Sequence, residues 1–400
     1  MQNNNDAIHK KTILHVADSL NGGGAEAVFR DTIIATESLG YINHVYVSDG
    51  KTSFMSYIYS MKHKRLLLAE LKKLKPDILH LQNFYHYLSP SVLAAIKIYK
   101  KNHKLHVVFT AHDYHLICPN SGFQYFEGGL RKNISLQRGT FRYLRRYDRR
   151  SVAHSLLKTA QHILNYKFLK NHQVIDDIIS PSFFLKKVFS LYNIKTNVTV
   201  IRNPVGLQDL NTDLKDTVYP SEMVKFVFFG RVTEEKGLFE FLNLLNECFT
   251  ISCEVHVYGE GTELDKLKCL KFRKEMSIFF HGFQKRDDIP NIISQYDIFI
   301  LPSLWYENAP ISIIEAAKSG LPILVPNYGG LQEMAKLTKY HYFFEYENGI
   351  TLPHQIFDAY KHRHQNYILD EEPFSMKFYA QELNKIYNLN SPQAQDFGVN

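Results

Sequence analysis

The chain has 400 residues, 45 % hydrophobic and 22 % charged, which excludes a mainly disordered protein; at roughly 150 residues per domain it predicts two or three domains. Its 47 lysines and arginines against 40 acids give a net charge of +7, a mild basic bias that suits phosphate-bearing ligands or an anionic membrane face and selects neither. The four cysteines form no C-x-x-C pair, the start (MQNNNDAIHKK) lacks a signal-peptide apolar core, and no run approaches the roughly 20 apolar residues of a membrane span, so a soluble cytoplasmic protein with reduced thiols is expected.

Short apolar runs rich in β-branched and aromatic residues alternate with amphipathic stretches. Strands are predicted at 12–17, 44–48, 77–81, 105–110, 178–180 and 198–201, with a helix from 25 to a closing Gly40. Such unbroken apolar strands are buried on both faces, and their alternation with helices implies a parallel sheet. Residues 208–221 carry three aspartates and read as a linker. The pattern then restarts, with strands at 225–229, 253–258, 276–280, 298–301 and 322–325 and a helix over 239–248. The expected architecture is α/β, with two Rossmann-like parallel-sheet domains, residues 1–207 and 208–372, facing across a cleft. Residues 373–400 add a terminal helix and tail, whose packing back on the first domain is not decided by the residues alone. Sites in such sheets lie at the carboxyl ends of the strands.

The first candidate site is Asn21-Gly-Gly-Gly-Ala25, where glycines after a strand let backbone N–H groups approach an anion at a helix start. Gly22, Gly24 and Ala27 also satisfy G-x-G-x-x-A, with Asp49 after the second strand, so a nicotinamide-type oxidoreductase is the rival reading. In the second half, the loop Gly230-Arg-Val-Thr-Glu-Glu-Lys-Gly237 offers two cations for a diphosphate, Arg231 as a planar fork and Lys236 as a point charge. Glu307 follows the strand at 298–301 and Glu315 lies in the next helix, for which Pro310 suits the first position and Gly320 the end. Carboxylates at such places accept hydrogen bonds from the hydroxyls of sugars. Gly329-Gly330 adds a second open glycine loop.

Taken in order, Gly-Gly-Gly-Ala-Glu, Thr-Ala-His-Asp at 110–113, Gly-Arg-x-x-x-x-Lys-Gly, Gly-Glu-Gly at 259–261, Glu-x7-Glu and Gly-Gly-x-x-Glu at 329–333 resemble the retaining family 4 glycosyltransferases of the GT-B fold, over about residues 12 to 390. The resemblance implies that Arg231 and Lys236 hold the donor's diphosphate, Glu315 binds the ribose, and Glu307 and His112 lie at the transferred sugar. It places Gly23 and Gly24 near donor phosphate and acceptor, and Gly259 with the donor. Asn308, Ala309, Pro310, Ile311, Gly329 and Gly330 approach sugar or phosphate oxygens, and His281-Gly282 begins a loop near the base. It implies no cofactor and no metal; a nucleotide diphosphate sugar, UDP-sugar favoured, is the donor, and a glycan or lipid-linked acceptor of bacterial surface polysaccharide (capsule, O-antigen or lipopolysaccharide) takes the sugar. His115 reads as a core histidine. A catalytically silent glycan-binding protein is the second alternative.

Residues 131–150 hold eight lysines and arginines against Asp148, interleaved with aromatics. They read either as a surface for anionic lipid at the inner face of the plasma membrane or as a solvated helix face; no nucleic-acid-binding module accompanies them.

Overall fold

The structure is a computed structural model that describes residues 10–137, 143–206, 223–285 and 288–389. The chain divides into two compact units, Met1–Pro204 with Pro373–Asn400, and Val205–Glu372. The predicted linker, 208–221, lies outside the described residues.

The first unit contains β1 (Thr12–Ala17), β2 (Ile42–Val47), β3 (Ile78–Leu81), β4 (His106–Thr110), a hairpin of β5 (Gln124–Glu127) and β6 (Leu130–Asn133), β7 (Asp177–Ser180) and β8 (Asn197–Val200). Apart from the hairpin these form one parallel sheet in the order β2-β1-β3-β4-β7-β8. The central strands are buried on both faces, as their sequences require: β3 and β7 expose nothing and β1 only its first residue in part. The terminal helix Met376–Asn388 completes this unit. Its Tyr379, Leu383, Ile386 and Tyr387 join Ile13, Ile78, Val108 and Ile179 in one core cluster. Two buried tyrosine hydroxyls anchor it, Tyr379 on Thr32 Oγ1 (2.8 Å) and Tyr387 on His80 Nδ1 (2.6 Å).

The second unit contains β9 (Met223–Phe229), β10 (Ser252–Tyr258), β11 (Met276–Gly282), β12 (Ile298–Ile300), β13 (Ile323–Pro326) and β14 (His341–Phe344). All six are parallel, in the order β11-β10-β9-β12-β13-β14. The direction of winding reverses between β9 and β12, so the switch point where such sheets bind ligands lies beyond the carboxyl ends of these two strands. In the first unit the same reversal falls between β1 and β3.

Two readings are corrected. Residues 131–150 present no helix among the described ones: 130–133 are a strand, 138–142 lie outside the described residues, and Tyr147 and Asp148 are buried. His281 and Gly282 do not begin a loop but end β11, which runs past Phe280 by a register shift against Val257 and Tyr258.

Candidate active site

At the switch point of the second unit, the loop after β9 and the loop after β12 are tied together. The N–H of Leu304 donates to the carbonyl of Glu235 (2.9 Å), and the Tyr346 hydroxyl donates to the carbonyls of Gly237 (3.3 Å) and Pro302. Gly237 has φ +66°, and a Cβ there would stand 2.1 Å from the Pro302 carbonyl oxygen, so glycine alone allows the two loops to meet.

This closure sets Lys236 beside Glu307. The Lys236 ammonium donates to Glu307 Oε1 at 2.5 Å, and Ser303 Oγ donates to the same oxygen at 2.7 Å. The side chains of Lys236 and Glu307 are only 14 % and 9 % exposed, and the ammonium lies 5.7 Å over the Trp305 ring. Burial pushes the Glu307 carboxyl up, but the Lys236 charge and the hydrogen bonds to the carboxylate outweigh it, so Glu307 titrates below the ordinary carboxylate range and is ionised at neutral pH. The Glu307 backbone is held as well. Its carbonyl accepts the N–H of Gly330 (2.8 Å), and a Cβ on Gly330 would lie 2.0 Å from the Asn308 carbonyl oxygen.

The helix Ile311–Lys318 starts just beyond this cluster, with Pro310 as its N-terminal flanking residue rather than its first helical one. Glu315 sits half-buried in that helix, whose Ile313, Ile314, Ala316 and Ala317 face the core. Asn308, Ala309 and Pro310 form the approach to it, and Gly329, at φ +64°, packs against Tyr306. Arg231 is set differently from Lys236. Its side chain is 66 % exposed and leans toward Glu235 at 3.7 Å. Gly259 packs where a Cβ would meet the Gly230 carbonyl oxygen at 1.9 Å, and Gly230 in turn donates its N–H to the Tyr258 carbonyl. The Gly-Glu-Gly motif thus brings two strand ends together. His281 stacks on Tyr258 (4.3 Å) and touches His256 Nδ1 through its Nε2 (2.9 Å).

In the first unit, Asp18 follows β1 and closes the switch point: its carboxylate accepts the N–H groups of His86, Tyr87 and Leu88 at 2.8–2.9 Å. Gly23 and Gly24 open the helix Gly24–Ser38, and a Cβ at either would meet nothing within 4 Å. His112, just after β4, faces the Gln82 amide oxygen through Nε2 (2.6 Å), and its neighbour Asp113 accepts the Tyr85 hydroxyl and the N–H of His115. His115 is buried and stacked on Tyr85 at 3.7 Å, a core histidine. The rival fingerprint residue Asp49 is occupied by Lys62 at 2.5 Å. Sequence reading missed Asp18, Gln82, Ser303 and Tyr346. A polar residue directly after an apolar strand marks the first two; nothing local marks the others.

Burial shapes how this unit responds to pH. It lowers His15 and His112 to about 4 and His162 to about 3, and holds His80 and His115 well below the ordinary histidine value. It raises Asp18 and Asp113 to about 6. The unfolded chain protonates its imidazoles near pH 6.5 while the folded one does not, so that part of the stability is complete above pH 6.5 and is lost as pH falls. The two carboxyls act the other way, losing stability as pH rises from about 4 to 6, but five imidazoles outnumber them. The thermal midpoint should therefore climb from pH 5 to pH 7. A maximum at pH 5 would contradict this balance.

Comparison with known proteins shows what this arrangement is similar to. Residues 211–374, which span both loops of the switch point, match the family model "Glycosyl transferases group 1". Over 156 residues the chain is 32 % identical to the UDP-Gal:alpha-D-GlcNAc-diphosphoundecaprenol alpha-1,3-galactosyltransferase of Escherichia coli, an alignment covering 35 % of this chain and 39 % of that protein. An uncharacterized 42.6 kDa protein in the cps region of Klebsiella pneumoniae is 25 % identical, with 72 % of this chain and 67 % of that protein aligned. The chain thus spans about two-fifths of the first relative and two-thirds of the second. Among solved structures, the Anabaena protein HepE with UDP and glucose superposes with a TM-score of 0.58 at 15 % identity, covering 94 % of this chain and 99 % of that one. The lipopolysaccharide outer core galactosyltransferase WaaB gives 0.59 at 17 % identity, covering 94 % and 98 %. The fold of the two units is that of the GT-B glycosyltransferases, and the segment that matches the family model contains the Lys236–Glu307 pair.

Proposed function

We propose that this protein transfers a sugar from a nucleotide diphosphate sugar, UDP-sugar favoured, to a hydroxyl of a glycan or lipid-linked acceptor in bacterial surface polysaccharide synthesis. The observation that carries this is the position of Lys236: a largely enclosed ammonium held by an ionised carboxylate at the sheet's switch point, inside the segment that matches the group 1 model. One of its three N–H donors is committed to Glu307, and the remainder suit the oxygens of a leaving diphosphate. As the bond to the sugar loosens toward an oxocarbenium-like state, negative charge grows on the phosphate, and in this reading Lys236, Arg231 and the N–H groups at the start of helix Ile311–Lys318 take it, with no metal ion called on.

In this reading Glu315 takes the ribose hydroxyls, His281 and Gly282 lie toward the base, and the neutral His112 faces the transferred sugar. Because Glu307 is engaged by Lys236 and Ser303, it acts here as the residue that positions the ammonium, which favours front-face attack with retention over a double displacement through Glu307. The similarity to the Escherichia coli galactosyltransferase supports the donor class. The test is incubation with UDP-sugars and a diphosphoprenol-linked sugar, following nucleoside diphosphate release and the product's anomeric proton coupling. Acceptor-dependent release with an unchanged anomer is expected. Saturable binding of NADH in a separate fluorescence titration, or no acceptor-dependent release with the whole donor panel, would overturn the reading.

A further inference from the structure

The helix Val152–His162 of the first unit is amphipathic in the wrong sense for a helix facing water. Its buried residues are Ser155, Thr159, Gln161 and His162, whereas Val152, Ala153, Leu156 and Ala160 form an exposed apolar stripe. The polar side is held inward by specific bonds. The Gln161 amide donates to the carbonyls of Tyr57 (2.5 Å) and Tyr85 (2.9 Å), and the Asn165 amide donates to Ile58 (3.0 Å). These bonds dock the helix on its neighbour Phe54–Ile58, which presents Phe54 and Met55 to solvent. With Phe168, just beyond the helix, five large apolar side chains here are 62–79 % exposed. Isolated apolar residues on a surface are ordinary; a stripe on one helix with bulky neighbours is not.

The charge of the same two segments is one-sided. Residues 49–65 and 148–170 hold nine lysines and arginines and two acids, so their surplus equals that of the whole chain. Both acids are spent internally. Asp49 pairs with Lys62, and the buried Asp148 pairs with Arg150 and Lys158. Arg149 stands before the apolar stripe and Lys167 and Lys170 after it, all three exposed.

We propose that this face lies on an anionic lipid bilayer, with Val152, Leu156, Phe54, Met55 and Phe168 entering the headgroup boundary and the flanking cations meeting lipid phosphates. An exposed apolar stripe bounded by lysine and arginine is the composition of an in-plane interfacial helix. Charge complementarity selects lipid over a second copy of the chain, which would bring the same positive face to the contact. The surface is therefore centred on the helix Val152–His162 and its neighbour Phe54–Ile58.

The test is co-sedimentation of the full chain with vesicles of phosphatidylcholine alone or mixed with phosphatidylglycerol. Binding to the mixed vesicles only is expected, weakening at about 0.5 M salt as screening shortens the reach of the cations. The Val152→Asp/Leu156→Asp variant should bind at least ~10-fold more weakly, by loss of apolar insertion, with the thermal midpoint of the wild type. Equal recovery with both vesicle types, or a variant that binds as well as the wild type, would overturn the proposal. So would a dimer by light scattering that the variant dissolves while no vesicle binding is seen. No sugar donor enters this assay, so its failure leaves the reading of the segment that matches the group 1 model standing.

Discussion

Lys236→Met should cost the protein both stability and transfer. The substitution leaves the Glu307 carboxylate buried against Ser303 with its counter-charge gone. Breaking a buried ion pair by removing one partner typically costs about 3–5 kcal/mol; the remaining exposure of Lys236 puts the expectation at the lower end. Turnover should fall by about 10²–10³, the usual loss for one electrostatic donor to a leaving oxyanion. The two losses separate in the double variant Lys236→Met/Glu307→Gln, where no charge is stranded. Its urea midpoint should return most of the way to wild type while transfer stays lost. If the double variant recovered turnover with stability, Lys236 would serve the fold alone.

The glycines give the second large contrast. Gly237→Ala and Gly259→Ala each put a Cβ about 2 Å from a backbone carbonyl oxygen at positive φ. Left-handed backbone and overpacking together predict a loss of about 3 kcal/mol or more for each. Gly24→Ala meets nothing within 4 Å and falls in the first turn of a helix, where alanine is the better helix former. Its thermal midpoint should hold or rise slightly. Transfer should nevertheless drop by about tenfold or more, because the methyl occupies the space through which a phosphate or acceptor reaches the N–H groups. A Gly24→Ala enzyme with wild-type transfer would remove that loop from the site.

How much of this could be read from the chain follows from the physics of each element. Strands such as β12 and β13 are unbroken apolar runs because both faces are covered, and that signal is local. β14 (His341–Phe344) is an edge strand with half-exposed residues and was not legible, nor was the β5–β6 hairpin. Lys236 and Glu307 could each be placed at the end of a strand, but their pairing joins positions 71 apart and depends on Gly237 allowing the loops to touch. Glycines read alike in sequence; only the carbonyls facing Gly237, Gly259 and Gly330 distinguish a packing glycine from the open Gly23 and Gly24. The terminal helix showed its amphipathic pattern early, yet its partner is chosen by Tyr379 and Tyr387 finding Thr32 and His80. The basic run at 131–150 is legible from its charge alone, whereas the inverted polarity of helix Val152–His162 depends on which side packs inward, and that is set by the distant carbonyls of Tyr57 and Tyr85.

Isothermal titration of UDP into the wild type and into the folded Lys236→Met/Glu307→Gln variant tests the central claim most directly. Saturable binding by the wild type, weakened at least ~10-fold in the variant by loss of a charge-assisted contact, is the predicted result. Equal affinity in the two proteins, or no binding of any nucleoside diphosphate by the wild type, would contradict the assignment of Lys236 to the leaving diphosphate.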